Sequence, residues 1–341
     1  HKMGIHGSPT CTMEYDGAKG WLLGDEFKGM AAMFIMMNSA RLNVGVQGVG
    51  IAERAYQQAL AYAKDRKQGR AINMDDHGPH AIIHHPDVRR TLAVMKAKIE
   101  AGRAICYHAA VEADLGEHHD DADEKAWSKR REDLMIPIAK AWCTDMGVDV
   151  ASMGVQVHGG MGFIEETGAA QHLRDARIAP IYEGTNGIQA IDLVGRKLAR
   201  DAGTAMGELI EDVRQTIEDC ITSSNPELPV LAEALKPACD ALEEATAFML
   251  KASDADRLAG ATAYLKLAGD VTGGWLLCVG AVAAQRKIKE ADGDESYAQA
   301  RISIANIFAQ SVLTGAQGLL GEIQIGYDPI FAPGETVLES A

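Results

Sequence analysis

Aromatic residues make up only 5% of the 341 residues, and basic residues are outnumbered, 33 Lys+Arg against 48 Asp+Glu, for a net charge of −15. The shortage of aromatics leaves little to stack on nucleic-acid bases. The acidic balance gives no electrostatic footprint for nucleic acid or for an anionic membrane surface. Cysteine is sparse too: six residues, at 11, 106, 143, 220, 239 and 278, with no CxxC pair and no two closer than 19 positions. That spacing is not a disulfide framework. It points to small core residues in a reduced cytoplasmic compartment. The chain lacks an initiator Met and a signal pattern, opening His1-Lys2-Met3-Gly4, as a segment starting inside a folded unit would. Also missing are a GxSxG elbow, a Walker A loop, a GxGxxG after a strand and an HExxH pair, so hydrolase, P-loop and Rossmann readings fall away.

A membrane span is the next thing to test. Ile302 to Gly321 runs 20 residues without a charge, long enough to cross a bilayer. Ser303, Asn306, Gln310, Thr314 and Gln317 recur within it at helical spacing, which predicts an amphipathic helix packed in a bundle. The uncharged stretch from Val271 to Gln285 is too short to span. No membrane span is therefore expected.

What is present is ordinary globular composition, 47% hydrophobic and 24% charged, in a length that fits about two domains. Residues 1–26 hold the only β signal. Thr10 to Tyr15 has strand composition, Asp16 to Gly20 is turn chemistry and Trp21-Leu22-Leu23 resumes extended chain. That predicts one hairpin, which needs a larger sheet to be stable. From Phe27 the apolar spacing is helical: 27–66, 87–117, 132–157, a short segment at 166–175 and 185–201. After Gly203 comes an alanine-rich set at 204–222, 228–252, 254–290 and 294–320, interrupted by Ser223-Ser224-Asn225-Pro226 and by a Gly/Asp cluster at 292–294. The predicted class is all-α with a short N-terminal β remnant, because nothing alternates strand and helix.

Four features could carry chemistry. In Pro180 to Gln189, Glu183 sits in a Gly-flanked loop before a helix with Thr185 as N-cap. A carboxylate beside helix-terminal N–H donors could remove a proton α to a carbonyl that those donors polarise. A plain loop Glu favoured by the helix dipole explains the same residues. Gln156 to Phe163 carries Gly159, Gly160 and Gly162, which allow a close approach to a ligand or simply cap a helix. Asp65 to Arg70 gathers Arg66, Lys67 and Arg70, either a pyrophosphate contact or the usual cations of a helix C-terminus. His77, His80, His84 and His85 fit no standard zinc spacing and read as a solvated loop, as does His118-His119. No metal is expected.

Together and in this order these segments resemble the acyl-CoA dehydrogenase family, specifically the end of its middle β-domain and its C-terminal helical domain. Tyr182-Glu183-Gly184-Thr185 with Ile188-Gln189 is similar to the catalytic loop, and Gln156…Gly159-Gly160-Met161-Gly162-Phe163 to the glycine motif upstream. Arg174 to Ile178 lies between as expected, and Leu22-Leu23-Gly24-Asp25…Gly29-Met30 looks like the exit from the β-domain. The resemblance implies the domains 1–26, a β remnant; 27–202, the helical domain; and 203–341, an additional helical unit as in larger bacterial members acting on 3-methylthiopropanoyl-CoA. It implies an FAD-dependent enzyme converting an acyl-CoA thioester to a trans-2-enoyl-CoA, with Glu183 as base. Arg66, Gln156, Gly159, Gly160 and Thr185 are then FAD contacts, some to the cofactor of a neighbouring subunit, and Asn38 and Arg41 lie beside the CoA moiety. Implied partners are the acyl-CoA, an electron-transfer flavoprotein and further copies of the chain in a homodimer or tetramer.

Departures from the family pattern are Gln68-Gly69 where an aromatic is common and Gly187 where Gln is common. The domains that would hold the flavin ring are not in this sequence, so the chain is expected to be an inactive fragment on its own. An acyl-CoA oxidase and a non-catalytic helical scaffold are the rival readings.

Overall fold

The computed structural model describes residues 1–72, 74–291 and 293–339; at 31, 34 and 35 it describes the backbone alone. Asn73 of the His-rich loop, Asp292 of the Gly/Asp cluster and the last two residues of the predicted third unit lie outside the described residues.

Three long helices form the first layer: α1 (Gly29–Asp65), α2 (Pro86–His118) and α3 (Ala122–His158). A turn of 3-10 helix and the short α4 (Ala169–Ala176) follow, then the loop carrying Glu183 and α5 (Asn186–Asp192). That last helix continues through a π turn at Leu193–Lys197 into α6 (Leu198–Arg200). The second group is α7 (Thr204–Ile221), α8 (Glu227–Lys251), α9 (Asp254–Ala259), α10 (Ala261–Glu290) and α11 (Glu295–Ser311). The short α12 (Leu319–Ile323), α13 (Tyr327–Phe331) and α14 (Gly334–Glu339) close the chain.

The all-α class holds, but the N-terminal hairpin does not form: among the described residues there is no strand, only a single bridge between Lys67 and Ala81. Residues 9–23 have no ladder partner, and Trp21 and Leu23 stand 86% and 91% exposed. A lone hairpin gains too little to order its backbone, and no further strand is at hand to cover it.

Three helix boundaries also differ from expectation. α3 begins ten residues earlier than the predicted 132, because the acidic run is its cap: the Asp121 carboxylate accepts from the N–H of Asp123 at 2.9 Å and of Glu124 at 3.1 Å. The predicted 254–290 helix breaks at Gly260, where a Cβ would lie 2.2 Å from the Ile323 carbonyl. The predicted 294–320 helix stops at Ser311 and tightens into a 3-10 segment at Leu313–Gly318. Its polar stripe faces outward all the same, with Ser303, Gln310, Thr314 and Gln317 exposed. α10 is long and apolar enough to cross a membrane, with mean hydropathy 1.5, and 67% of its most apolar window is buried inside the fold.

α1 and α3 touch backbone to backbone. A Cβ on Gly48 would lie 2.4 Å from the Cys143 carbonyl oxygen, and one on Gly147 2.8 Å from that of Gly48. α2 and α3 meet α10 and α11 through one continuous core from Val49 to Ile323. Polar ties cross the same contact, the Trp142 indole N–H donating to Asp270 at 2.9 Å and Arg301 pairing with Glu100 at 2.9 Å, while Arg131 on α3 pairs with Asp212 on α7 at 2.8 Å. All six cysteines are free thiols, five of them buried.

Candidate active site

The loop before α5 is held from inside. Glu183 and Gly184 both occupy the left-handed region, with φ of 56° and 83°. For Gly184 this is unstrained; for Glu183 it is an unusual state that the surroundings must enforce. Gln189, fully buried on α5, points its amide back at the loop and donates to the Gly184 carbonyl at 3.2 Å and the Glu183 carbonyl at 3.5 Å. Lys140 on α3, also fully buried, donates to the Gly184 carbonyl at 2.8 Å and to Asn186 Oδ1 at 2.8 Å. The Asn186 amide in turn donates to the Ala141 carbonyl at 3.1 Å and to Asp145 at 2.8 Å. Thr185 caps α5, its hydroxyl accepting from the Ile188 N–H at 3.2 Å.

With both carbonyls turned inward, the backbone N–H groups of Glu183 and Gly184 have no acceptor among the described residues. The Glu183 side chain is half-buried. The Tyr182 hydroxyl, one residue before it, bonds the Gln47 side chain on α1, and burial raises that phenol above its ordinary range. Burial, with Arg41 adding to it against Asp145 and Glu183, pulls Lys140 down to about 8.

Arg41 lies against this loop, its guanidinium 3.8 Å from where a Gly184 Cβ would stand. It pairs with Asp192 at 3.2 Å, both side chains buried, and its Nε has no partner. Asn38, Arg41, Asp133, Asp192, Arg196, Lys197 and Arg200 line one cavity of about 210 Å³, four cations against two carboxylates. The predicted CoA-side residues and the predicted base are therefore neighbours.

The remaining predicted residues lie elsewhere. Arg66 caps the C-terminus of α1, and the glycine turn ends α3 beside it, the rings of Tyr62 and His158 stacking 4.5 Å apart. From Arg41 to this end is about 37 Å along the helix at 1.5 Å per residue. Arg66, Gln156, Gly159 and Gly160 are all exposed. Gly159 adopts φ 58° with ψ −137°, while Gly162 is needed for packing, a Cβ there meeting the Val155 carbonyl at 2.2 Å. In the His-rich loop, His80 accepts from the Ala71 N–H at 3.0 Å and His85 bonds the Gln68 carbonyl at 2.7 Å, which folds the loop onto itself.

A family model described as "Acyl-CoA dehydrogenase, C-terminal domain" matches residues 28–199. The 3-methylmercaptopropionyl-CoA dehydrogenase of Ruegeria pomeroyi is 45% identical over 316 residues, 92% of this chain and 53% of that protein. The chain belongs to the acyl-CoA dehydrogenase family.

A second family model, "Acetyl-CoA dehydrogenase C-terminal like", matches residues 209–332 of this acyl-CoA dehydrogenase chain. The broad-specificity linear acyl-CoA dehydrogenase FadE5 of Mycobacterium tuberculosis is 33% identical over 92% of the chain and 54% of its own length. The chain thus spans about half the length of these curated relatives. The fold is shared with ACDH-11 of Caenorhabditis elegans in complex with C11-CoA, at a TM-score of 0.72 and 21% identity over 93% of this chain and 49% of that one. It is shared also with an acyl-CoA dehydrogenase complexed with FAD from Bacillus anthracis, at 0.67 and 20% identity over 92% and 52%.

The sequence reading of this family member missed Lys140, Asn186 and the inward role of Gln189. One signal was available for the first: a lone Lys in the otherwise apolar run from Leu134 to Cys143.

Proposed function

We propose that the protein containing this chain catalyses the α,β-dehydrogenation of an acyl-CoA thioester to the trans-2-enoyl-CoA, with Glu183 as the base. The observation that carries this reading is the Glu183 loop: a half-buried carboxylate on a left-handed turn, its own N–H and that of Gly184 left without acceptors among the described residues. Such a loop can take the α proton on the carboxylate while an N–H polarises the thioester carbonyl, so that the acid and the hydrogen-bond donor belong to one turn. The basic cavity at Asn38 and Arg41 suits the anionic CoA moiety beside it.

FAD, when bound, supplies the acceptor for the hydride that leaves Cβ as the α proton moves to Glu183. The residues fit such a group. Arg66 and Gln156 have no side-chain partner among the described residues, and space is open around Gly159 and Gly160. These four would hold the cofactor's adenosine and pyrophosphate, and Thr185 would contact it near Glu183. Because the two groups lie far apart along α1, one beside Arg41 and one at its C-terminus, they would serve different cofactors, which supports a homodimer or tetramer sharing FAD between copies. We propose also that 27–202 and 203–341 are two helical domains packed through their shared core, that 1–26, which forms no strand here, joins a β-domain in the complete protein, that an electron-transfer flavoprotein reoxidises the enzyme, and that the protein works in the bacterial cytoplasm.

The test is an anaerobic titration of the complete protein with a panel of acyl-CoA thioesters, following bleaching of the flavin, with 3-methylmercaptopropionyl-CoA first because of the Ruegeria pomeroyi relative. Bleaching by one thioester that is lost in Glu183→Gln with FAD retained is the expected result. A flavoprotein that no thioester bleaches removes the reading.

A further inference from the structure

The charged side chain buried most deeply beside Glu183 has no part in the reaction as proposed so far. Lys140 is fully buried in the middle of α3, among Ile138, Ala139, Ala141 and Trp142, all buried as well. An ammonium in such a place carries a desolvation penalty, which a methionine of similar volume would avoid. Its two hydrogen bonds, both at 2.8 Å, go to the Gly184 carbonyl and the Asn186 side chain, one and three residues beyond Glu183. Neither acceptor belongs to α3.

Three more α3 groups on the same face grip the same point: the Ala141 carbonyl, Thr144 and Asp145 each bond Asn186. Without Lys140, Gln189 alone would hold the Gly184 carbonyl inward, through a single amide at 3.2 Å. The charges that face the ammonium are Asp145 from its own helix, Arg41 from α1 and Glu183 from the loop.

We infer that Lys140 is a positioning residue for proton abstraction, pinning the Gly184 carbonyl so that the Glu183 carboxylate and its N–H stay at the reaction geometry. This inference rests on the reading of Glu183 as the base. Lys140 does not itself touch substrate; it acts through the turn.

The complete protein with FAD bound provides the test. The rate of flavin bleaching by acyl-CoA and the substrate Kd are measured for wild type, Lys140→Met, Lys140→Gln and Glu183→Gln. Lys140→Met is expected to keep its FAD and to bind substrate within about threefold of wild type, so that the loss falls on the chemical step. Its bleaching rate should drop about 10- to 100-fold, the scale of an ångström-level misplacement of a reacting group. Lys140→Gln, which retains an N–H donor, should recover part of that loss. The inference is overturned if both Lys140 variants bleach at the wild-type rate, if the loss lies in Kd alone, or if both lose FAD and fold together, since Lys140 would then be a core residue only. A Glu183→Gln enzyme that bleaches normally removes the base assignment itself and the inference with it. Inactive Glu183→Gln beside fully active Lys140 variants removes only the inference.

Discussion

Arg41 on α1 and Asp192 at the end of α5 form an ion pair at 3.2 Å, with 5% and 4% of their side chains exposed. Asp192 also accepts from Arg196 at 2.6 Å, so one carboxylate balances two guanidinium groups beside the Glu183 loop. Asp192→Ala would leave Arg41 buried and unpaired, at a cost of about 3 kcal/mol or more. The double variant Arg41→Met with Asp192→Leu should regain most of that stability in urea unfolding, while losing whatever Arg41 contributes to CoA affinity.

The contact between α1 and α3 gives an internally controlled prediction. Gly48→Ala drives a methyl to within 2.4 Å of the Cys143 carbonyl, a backbone atom that cannot swing aside. A loss of about 1–3 kcal/mol is expected, with the melting temperature lowered. Gly50→Ala, two residues along the same helix and facing open space, should instead stabilise by about 0.5–1 kcal/mol through helix propensity. Equal effects at both sites would contradict the close approach.

Gly184 sits at φ 83°, where an added Cβ is strained and would lie 3.0 Å from the Gln189 amide. Gly184→Ala should cost about 1–3 kcal/mol and disturb the turn carrying Glu183. In the complete protein, kcat should fall more than KM rises.

His108 supplies the pH dependence. Burial, then the charge of Arg131, pulls it down to about 4, with Asp212 opposing. Between pH 4 and the unfolded value of 6.5 the unfolded chain holds a proton that the native state does not. Stability therefore rises with pH across that window and is lost as pH falls through it, by up to about 3 kcal/mol for this residue. Glu112, raised chiefly by burial, contributes in the opposite sense. Chemical denaturation at a series of pH values should show a flatter profile over that range in His108→Gln, with the Glu112 part remaining.

Much of this was legible from the sequence. The Glu183 loop, the Thr185 cap and the glycine turn after α3 are punctuated locally, so they could be read without the fold. Asn38 and Arg41, which the resemblance named only for the CoA side, share one cavity, and Arg41 lies against the Gly184 turn. The start of α3 was missed because Asp120 to Glu124 has the polar composition of a loop, although acids in the first turn and an Asp cap favour that end of a helix. The N-terminal β signal failed for a different reason: composition reports what a segment would do in a sheet, and no further strand lies beside Thr10 to Leu23 here. Lys140 reaches Gly184 across 44 positions, and no window of periodicity covers that distance.

The backbone contact at Gly48 and Gly147 works as the clamp of a ruler. Where side chains interdigitate, two helices can creep past each other by trading rotamers; where carbonyls meet glycines there is nothing to trade. A slip of one residue would drive a Cβ into a carbonyl oxygen. The length from the Glu183 loop to the turn at Gly159 is thereby locked, whatever the surrounding loops do.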